Sequence, residues 1–295
     1  MDELRFHRWL EGAWKLPEDW LGIGDDAAVI PLTGAALLCT DTVAQGTHFV
    51  AGTDPVAVGH KAAARNLSDL AAMGAEPVAA LVSLVLPRDC ALELPERIIQ
   101  GCRAALDPWD CPVVGGDTTT HEGGLVVNVT LLGRAMGAEV IRRSGARVGD
   151  VLIVSGQLGG SLLRRHLTIQ PRLNLARTLM SRAIPHAMID VSDGLLLDLQ
   201  RLVTASQCGF KLDASRIPIH TDTNELPGDA LERAFTDGED FELLFAMDPL
   251  LWSEFEQSGE TPVPLTAIGV VTAQGQEIMR DGLPWWPRGS GYVHH

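Results

Sequence analysis

Met136-Gly137-Ala138-Glu139-Val140-Ile141-Arg142-Arg143-Ser144-Gly145-Ala146-Arg147 is the stretch on which the fold turns. It carries glycine and arginine and has no apolar periodicity, so it reads as a break between two lobes. On its N-terminal side, Leu125 to Gly133 alternates like a strand, and Ala79 to Leu86 is an apolar run closed by Pro87, as in a buried strand. Ala35 to Thr40 is a brief strand. Thr53-Asp54-Pro55 opens a helix with a capping side chain followed by proline in the first turn. That helix covers the Ala- and Leu-rich segment Val56 to Met73 and stops at Gly74 and Pro77; Leu94 to Leu106 is a second helix. Beyond the break the pattern restarts with strands at Val151 to Ser155, Ala187 to Ser192, Phe241 to Met247 and Leu265 to Val271. Helices are expected at Gly160 to His166, Asp193 to Ser206, Asp229 to Phe235 and Leu250 to Ser258, and the tail from Asp281, rich in Gly, Pro and Trp, is expected to wrap the surface. Strands and helices mixed in both halves predict an α/β protein of two α/β or α+β lobes, placed at 1–138 and 139–295.

Composition narrows the function classes. With 46% hydrophobic and 21% charged residues over 295 positions, the chain has material for a substantial core. No apolar run approaches the ~18 residues of a membrane-spanning helix. Met1-Asp2-Glu3-Leu4-Arg5 does not read as a signal peptide, so a cytoplasmic protein is expected. The five cysteines (Cys39, Cys90, Cys102, Cys111 and Cys208) are odd in number and scattered, which reads as reduced thiols rather than a zinc site. A formal net charge of −15 without a Lys/Arg run argues against a nucleic-acid partner. The acidity is either a matter of solubility or a set of clustered carboxylates balanced by divalent cations.

Acidic motifs at or near the ends of apolar runs favour the second reading. Gly24-Asp25-Asp26-Ala27 is a Gly-rich turn, weak on its own, and Thr40-Asp41-Thr42 reads equally as a strand end or cap. Asn66, Ser68 and Asp69 interrupt a helix otherwise dominated by Ala and Leu; Asp69 has an ordinary ion-pair partner available in Arg65, four residues earlier, yet buried polar groups here need partners and a metal could be one. Gly115-Gly116-Asp117-Thr118-Thr119 is expected just past a strand, where glycines let phosphate approach backbone N–H groups. Asp190-Val191-Ser192-Asp193-Gly194 opens a helix; Asp193 alone reads as its cap, whereas Asp190 and Ser192 are harder to explain that way. Asp237-Gly238-Glu239-Asp240-Phe241-Glu242 reads by itself as an acidic hairpin turn. No P-loop lysine motif is present, so any bound phosphates would be held through Mg²⁺ on aspartates, with Arg143 the best guanidinium candidate.

Taken in order, these motifs, together with Gly46-Thr47-His48-Phe49, Lys61 and Arg143-Ser144-Gly145-Ala146, resemble the thiamine-monophosphate kinase family of the aminoimidazole ribonucleotide synthetase-like superfamily. The resemblance runs from Ile23 to about Phe245. It implies a two-lobe fold whose N-terminal lobe forms a sheet or barrel with its copy in a homodimer. It implies ATP and thiamine monophosphate as substrates and several Mg²⁺ ions gathered between the lobes. Asp26, Thr40, Asp41, Asp69, Asp117, Asp190 and Asp193 would be metal ligands, with Cys39 standing where the family often has serine. Gly116, Asp117, Arg143 and Ser192 would contact ATP, with Trp109 near the adenine. His48 and Glu239 would contact thiamine phosphate. The family's aromatic C-terminal stretch is altered here, and Trp286, Trp285 or Tyr292 would take its place against the thiazolium. The alternatives are another ATP-dependent enzyme of the superfamily with a different acceptor, or a nucleotide- or metal-binding protein without turnover.

Overall fold

A computed structural model describes residues 9, 16–20, 30–31, 33–289 and 291. The Gly24–Ala27 motif with its expected ligand Asp26, and Tyr292, lie outside the described residues. The chain divides into two compact units. The first holds the described residues up to Leu70, with Glu76–Ala135 and Leu167–Ile169; the second holds Ala71–Ala75, Met136–His166 and the described residues from Gln170 onward.

In the first unit, β1 (Ala36–Ala44), β2 (Ala75–Pro87), β3 (Val113–His121) and β4 (Val126–Ala135) form a sheet in the order β1-β4-β2-β3. β1 and β4 are antiparallel, and β2 and β3 are parallel. α1 (Pro55–Ala72) begins where Asp54 accepts the Val56 N–H at 2.9 Å, as the capping signal predicts. α2 (Glu93–Leu106) crosses it at unusually close range. A Cβ on Gly59 would lie 1.9 Å from the Ile98 carbonyl oxygen, and one on Gly101 would lie 1.9 Å from that of Val56. Two glycines on facing helices thus let the backbones meet, and Cys102 Sγ donates to the Gly59 carbonyl at 3.4 Å.

The second unit is built on a seven-stranded sheet ordered β11-β10-β7-β9-β5-β8-β6. Its strands are β5 (Val151–Ser155), β6 (Ala187–Asp190), β7 (Gly209–Asp213), β8 (Leu243–Met247), β9 (Leu265–Thr272), β10 (Gln276–Arg280) and β11 (Leu283–Pro284). All the strand pairings described in it are antiparallel except that of β10 with β7. Helices α3 (Leu173–Arg182), α4 (Leu195–Ala205), α5 (Ala230–Thr236) and α6 (Pro249–Ser258) complete it. Leu152, Ile189, Leu199, Phe210, Phe235 and Leu244 lie at the heart of its core.

Several expectations are corrected. Thr40-Asp41-Thr42 does not end β1 but continues it, because Val129 and the polar Asn128 and Thr130 of β4 stand opposite. Gly115 to Thr119 lies inside β3, paired with Leu81 to Val85 of β2, rather than in a turn after it. Gly160 to His166 is not an α-helix but most of two 3₁₀ turns, Ser161–Leu163 and Arg165–Leu167. The N–H groups of Gly159 and Gly160 are taken by the carboxylates of Asp240 and Asp237, so the chain there is shaped by side chains rather than an i→i−4 ladder. The 237–242 segment joins α5 to β8 and is no hairpin. The tail from Asp281 folds back on the second unit: Trp285 meets Phe235 with ring centroids 5.3 Å apart, and Arg288 and Gly289 donate main-chain N–H groups to Glu232.

Candidate active site

In the first unit most of the expected site residues sit on regular elements, with His48 and Trp109 on turns. Cys39, Thr40 and Asp41 follow one another on β1. The Cys39 thiol is directed at the Asn66 carbonyl, 3.5 Å away. Thr40 Oγ1 lies 2.8 Å from Thr130 Oγ1, and Asp41 Oδ1 lies 3.4 Å from Arg65 Nη2. Asp69 is on α1, whose neighbouring Asn66 and Ser68 are fully buried. Lys61, also fully buried, donates to the His48 carbonyl at 2.8 Å. His48 Nδ1 accepts the Ala44 N–H at 3.1 Å, which places the proton of a neutral ring on Nε2. Gly116 and Asp117 are on β3, at the edge of the described sheet. A Cβ at Gly116 would lie 1.8 Å from the Val82 carbonyl oxygen, so the strand pairing itself requires glycine there. Trp109 is half-buried in the 3₁₀ turn Asp107–Trp109 that precedes β3.

In the second unit Ser192, Asp193 and Glu239 sit on irregular turns fixed by buried carboxylates. Asp190 ends β6 and is 3% exposed. Asp193 does not cap α4, whose N-cap is Gly194 with no side-chain bond. The turn is held from inside the helix by Asp198, which is fully buried and accepts the N–H groups of both Ser192 and Asp193 at 2.9 Å. Arg201 closes the arrangement, bonding both Asp193 and Asp198. Burial, and next the neighbouring charge of Asp190, push the Asp198 carboxyl up to about 7.

The Gly238–Glu242 turn is hydrogen-bonded directly onto this one. Glu239 N–H donates to the Ser192 carbonyl at 2.7 Å, Phe241 N–H to that of Val191 at 2.8 Å, and Val191 N–H to that of Glu242 at 2.8 Å. Gly238, Glu239 and Phe241 all have positive φ, at 69°, 53° and 52°. The two side-chain-bearing members are in a conformation that costs free energy unless the surroundings impose it. The surroundings do so through two buried acids. Asp240 accepts the Gly159 N–H and an Arg165 N–H, while Glu242 accepts from Arg172 and from the Ser155 hydroxyl at 2.5 Å. Burial pushes the Asp240 carboxyl up to about 7 against those donors.

Arg143 is exposed on a loop clamped by Ser206, whose hydroxyl donates to the Arg143 carbonyl at 3.0 Å and accepts from Gly145 and Ala146 at 3.1 Å. Trp286, 43% exposed, stacks on Phe210 at 6.4 Å; the tail then runs back until Gly291 lies against the Asp193 carbonyl and Leu197. Among the described residues no three His, Cys, Asp or Glu side chains gather closely enough to hold a metal by themselves. Asp41, Asp69 and Asp117 belong to the first unit, and Asp190 and Asp193 to the second. Sequence reasoning missed Asp198, Arg201 and Ser206, and it missed the roles of Asp240 and Glu242. Asp198 carried a usable signal, a lone acid among the leucines of Leu195-Leu196-Leu197-Asp198-Leu199.

Comparison with known proteins places the chain in a family. The AIR synthase related protein N-terminal domain matches residues 24–135, and the C-terminal domain of the same family matches 147–282. A thiamine-monophosphate kinase of Rhodopirellula baltica is 40% identical over 287 residues, covering 92% of this chain and 90% of the relative. The crystal structure of thiamine-monophosphate kinase from Stenotrophomonas maltophilia K279a superposes with a TM-score of 0.81 at 34% identity, covering 94% of this chain and 95% of that one. AaThiL, complexed with AMPPCP and TMP, gives a TM-score of 0.76 at 30% identity, over 88% and 87% of the two chains. Hydrogenase maturation protein HypE of E. coli shares the fold alone, at a TM-score of 0.80 and 19% identity. Two domain matches in order and relatives of this identity over nine-tenths of the chain establish that it belongs to the AIR synthase related proteins and, among them, to the thiamine-monophosphate kinase family.

Proposed function

We propose that this chain transfers the γ-phosphoryl group of ATP to the phosphate of thiamine monophosphate, forming thiamine diphosphate and ADP by direct in-line displacement at a multi-Mg²⁺ site. A terminal phosphate oxygen of the acceptor forms the new P–O bond as the bond from the γ-phosphorus to the β,γ-bridging oxygen breaks. The acceptor oxygen is already ionised near neutral pH, so no covalent enzyme nucleophile is needed. The observation that carries the reading is the pairing of the two turns in the second unit. Glu239, assigned to the acceptor, donates its N–H to the carbonyl of Ser192, assigned to ATP. Donor and acceptor contacts thereby share one rigid piece of main chain, which is what positioning catalysis requires.

The donors present suit Mg²⁺: carboxylate oxygens with a threonine hydroxyl. The charge of Asp190 disfavours ionisation of the buried Asp198, a cost that a divalent cation at Asp190 would relieve. Asp26, Cys39, Thr40, Asp41, Asp69, Asp117, Asp190 and Asp193 are assigned as ligands. Because the Cys39 thiol faces the Asn66 carbonyl, Cys39 is assigned through its main-chain oxygen. Bound Mg²⁺ supplies neutralisation and alignment of two polyanionic substrates. Gly116, Asp117, Arg143, Ser192 and Trp109 hold ATP. His48 presents Nε2–H to the acceptor phosphate, Glu239 takes its polar base, and Trp286 its aromatic face. Residues 1–138 are assigned Mg/ATP binding and dimerisation, and 139–295 the completion of both substrate sites. Exposed Leu38 of β1 and Leu81 of β2 are apolar groups that a second copy would cover, supporting a homodimer. Five cysteines outside any disulfide fit a cytoplasmic setting.

The test is purified protein with ATP, Mg²⁺ and thiamine monophosphate, following thiamine diphosphate by chromatography with an EDTA control. Mg²⁺-dependent product is expected. ATP binding without product would move the acceptor to another substrate of the superfamily.

A further inference from the structure

Two consecutive residues on one turn are paired with two consecutive residues on another. Arg165 Nη2 lies 3.2 Å from Asp240 Oδ1, and His166 Nδ1 lies 3.2 Å from Glu239 Oε2. Both rungs are shielded, with the His166 and Glu239 side chains 13% and 17% exposed and that of Asp240 1% exposed. Arg165 is itself anchored, donating to the Gly159 carbonyl at 2.7 Å and to Asp222 at 3.2 Å. One rung therefore fixes the two main chains relative to each other, and the second reaches the carboxylate assigned to the acceptor. The turn alone does not fix that carboxylate. The left-handed backbone at Glu239 sets where its Cβ points, and contacts such as that with His166 set its side-chain torsions.

We propose that His166 is a positioning residue for the acceptor, holding the Glu239 carboxylate in one orientation while Arg165 and Asp240 hold the two turns in register. The inference rests on the proposed reading of Glu239 as an acceptor contact. The imidazole N–H donates to a carboxylate oxygen, so that the group contacting the acceptor, such as an amino group on the pyrimidine of thiamine, is presented in one orientation. A charge-assisted hydrogen bond of this kind orients the carboxylate.

The test compares steady-state constants for His166→Leu, His166→Gln and Glu239→Gln, with melting temperature measured alongside. His166→Leu should raise KM for thiamine monophosphate about tenfold, with kcat and KM for ATP changing less than about twofold. His166→Gln, which keeps a donor on a flexible side chain, should recover most of that loss. In the wild-type protein the His166 ring ¹⁵N resonances should move on addition of thiamine monophosphate, a readout that needs no variant to fold. An unchanged KM in His166→Leu beside a raised KM in Glu239→Gln would overturn the positioning role and leave the reading of Glu239 standing. Equal losses in His166→Leu and His166→Gln, or static ring resonances, would overturn it as well. If Glu239→Gln also leaves KM unchanged, the acceptor assignment falls, and this inference with it.

Discussion

The two units carry their candidate site residues in opposite ways. In the first, Cys39, Thr40, Asp41, Asp69, Gly116 and Asp117 lie on strands and a helix, where the repeat of the element sets where each side chain points. In the second, Asp190 ends a strand, whereas Ser192, Asp193 and Glu239 lie on turns held by buried acids behind them: Asp198, Asp240 and Glu242. Changing a site residue of the first unit should therefore cost chemistry and little fold. Changing a supporting residue of the second should cost both.

The largest effect tests the first half of that contrast. Asp41→Asn and Asp117→Asn should each lower kcat by about three orders of magnitude, the loss of roughly 4 kcal/mol of transition-state stabilisation. Thermal stability should stay close to wild type, because Asp117 is exposed and Asp41 forms a partly exposed ion pair with Arg65. Turnover at the wild-type rate in either variant would remove that residue from the proposed metal site.

The second half is tested by Asp198→Ala. It strips two main-chain N–H groups and Arg201 of a fully buried partner, so a loss of about 3 kcal/mol is expected, read by urea denaturation. Turnover should fall with it, since the Ser192–Asp193 turn loses its brace. A variant as stable as wild type would mean that the brace is dispensable and the contrast between the units wrong.

The same difference explains what was legible in the sequence. Where geometry follows from period, reading succeeded: Val56 to Met73 became a helix over Pro55–Ala72, and Ala79 to Leu86 lay within the strand Ala75–Pro87. Where side chains dictate the main chain, it failed. Gly160 to His166 has the composition of a helix, but Asp240 and Asp237, some 80 residues later, take the N–H groups of Gly159 and Gly160 at its start, and the chain runs on in 3₁₀ turns. Strands β7 and β10 escaped notice because their exposed residues, Lys211 and Asp213 in one and Gln276 and Glu277 in the other, blur the apolar pattern of short strands near a sheet edge. α3 was missed although Leu173, Leu175, Ala176 and Leu179 line one buried face, because the polar Asn174, Arg177 and Thr178 lie between them. The order of the acidic motifs was visible and carried the family. The roles of Asp198 and His166 were not, because they lie in which main chain or carboxylate each residue meets in the fold.

A smaller effect probes the helix crossing of the first unit. Gly59→Ala puts a methyl group where the Ile98 carbonyl sits, so α1 and α2 must move apart, at about 2–3 kcal/mol. Exposed Gly149, whose φ is +95° and around which a Cβ would meet only open space, gives the matching control in the second unit: Gly149→Ala meets backbone strain alone and should cost about 1 kcal/mol. Equal losses at the two glycines would show that close approach does not govern the crossing.

The smallest expected effect asks whether the units open separately. Cys102 and Cys111 are buried in the first unit, and burial pushes both thiols up to about 12. At pH 8 the reactive thiolate is then about one part in ten thousand at each, before access is considered. Cys208, half-buried in the second unit, is raised too, by burial and then by Asp150, yet its sulfur lies nearer solvent. Alkylation of the native protein followed by mass spectrometry should label Cys208 well before Cys102 and Cys111. Labelling of that buried pair should be set by opening of the first unit, not by reagent concentration. In Gly59→Ala the Cys102 rate should rise, because its thiol bonds the carbonyl of the altered residue, while the Cys208 rate stays fixed. A parallel rise at both cysteines would mean that the two units unfold as one body and that their stabilities cannot be tuned apart.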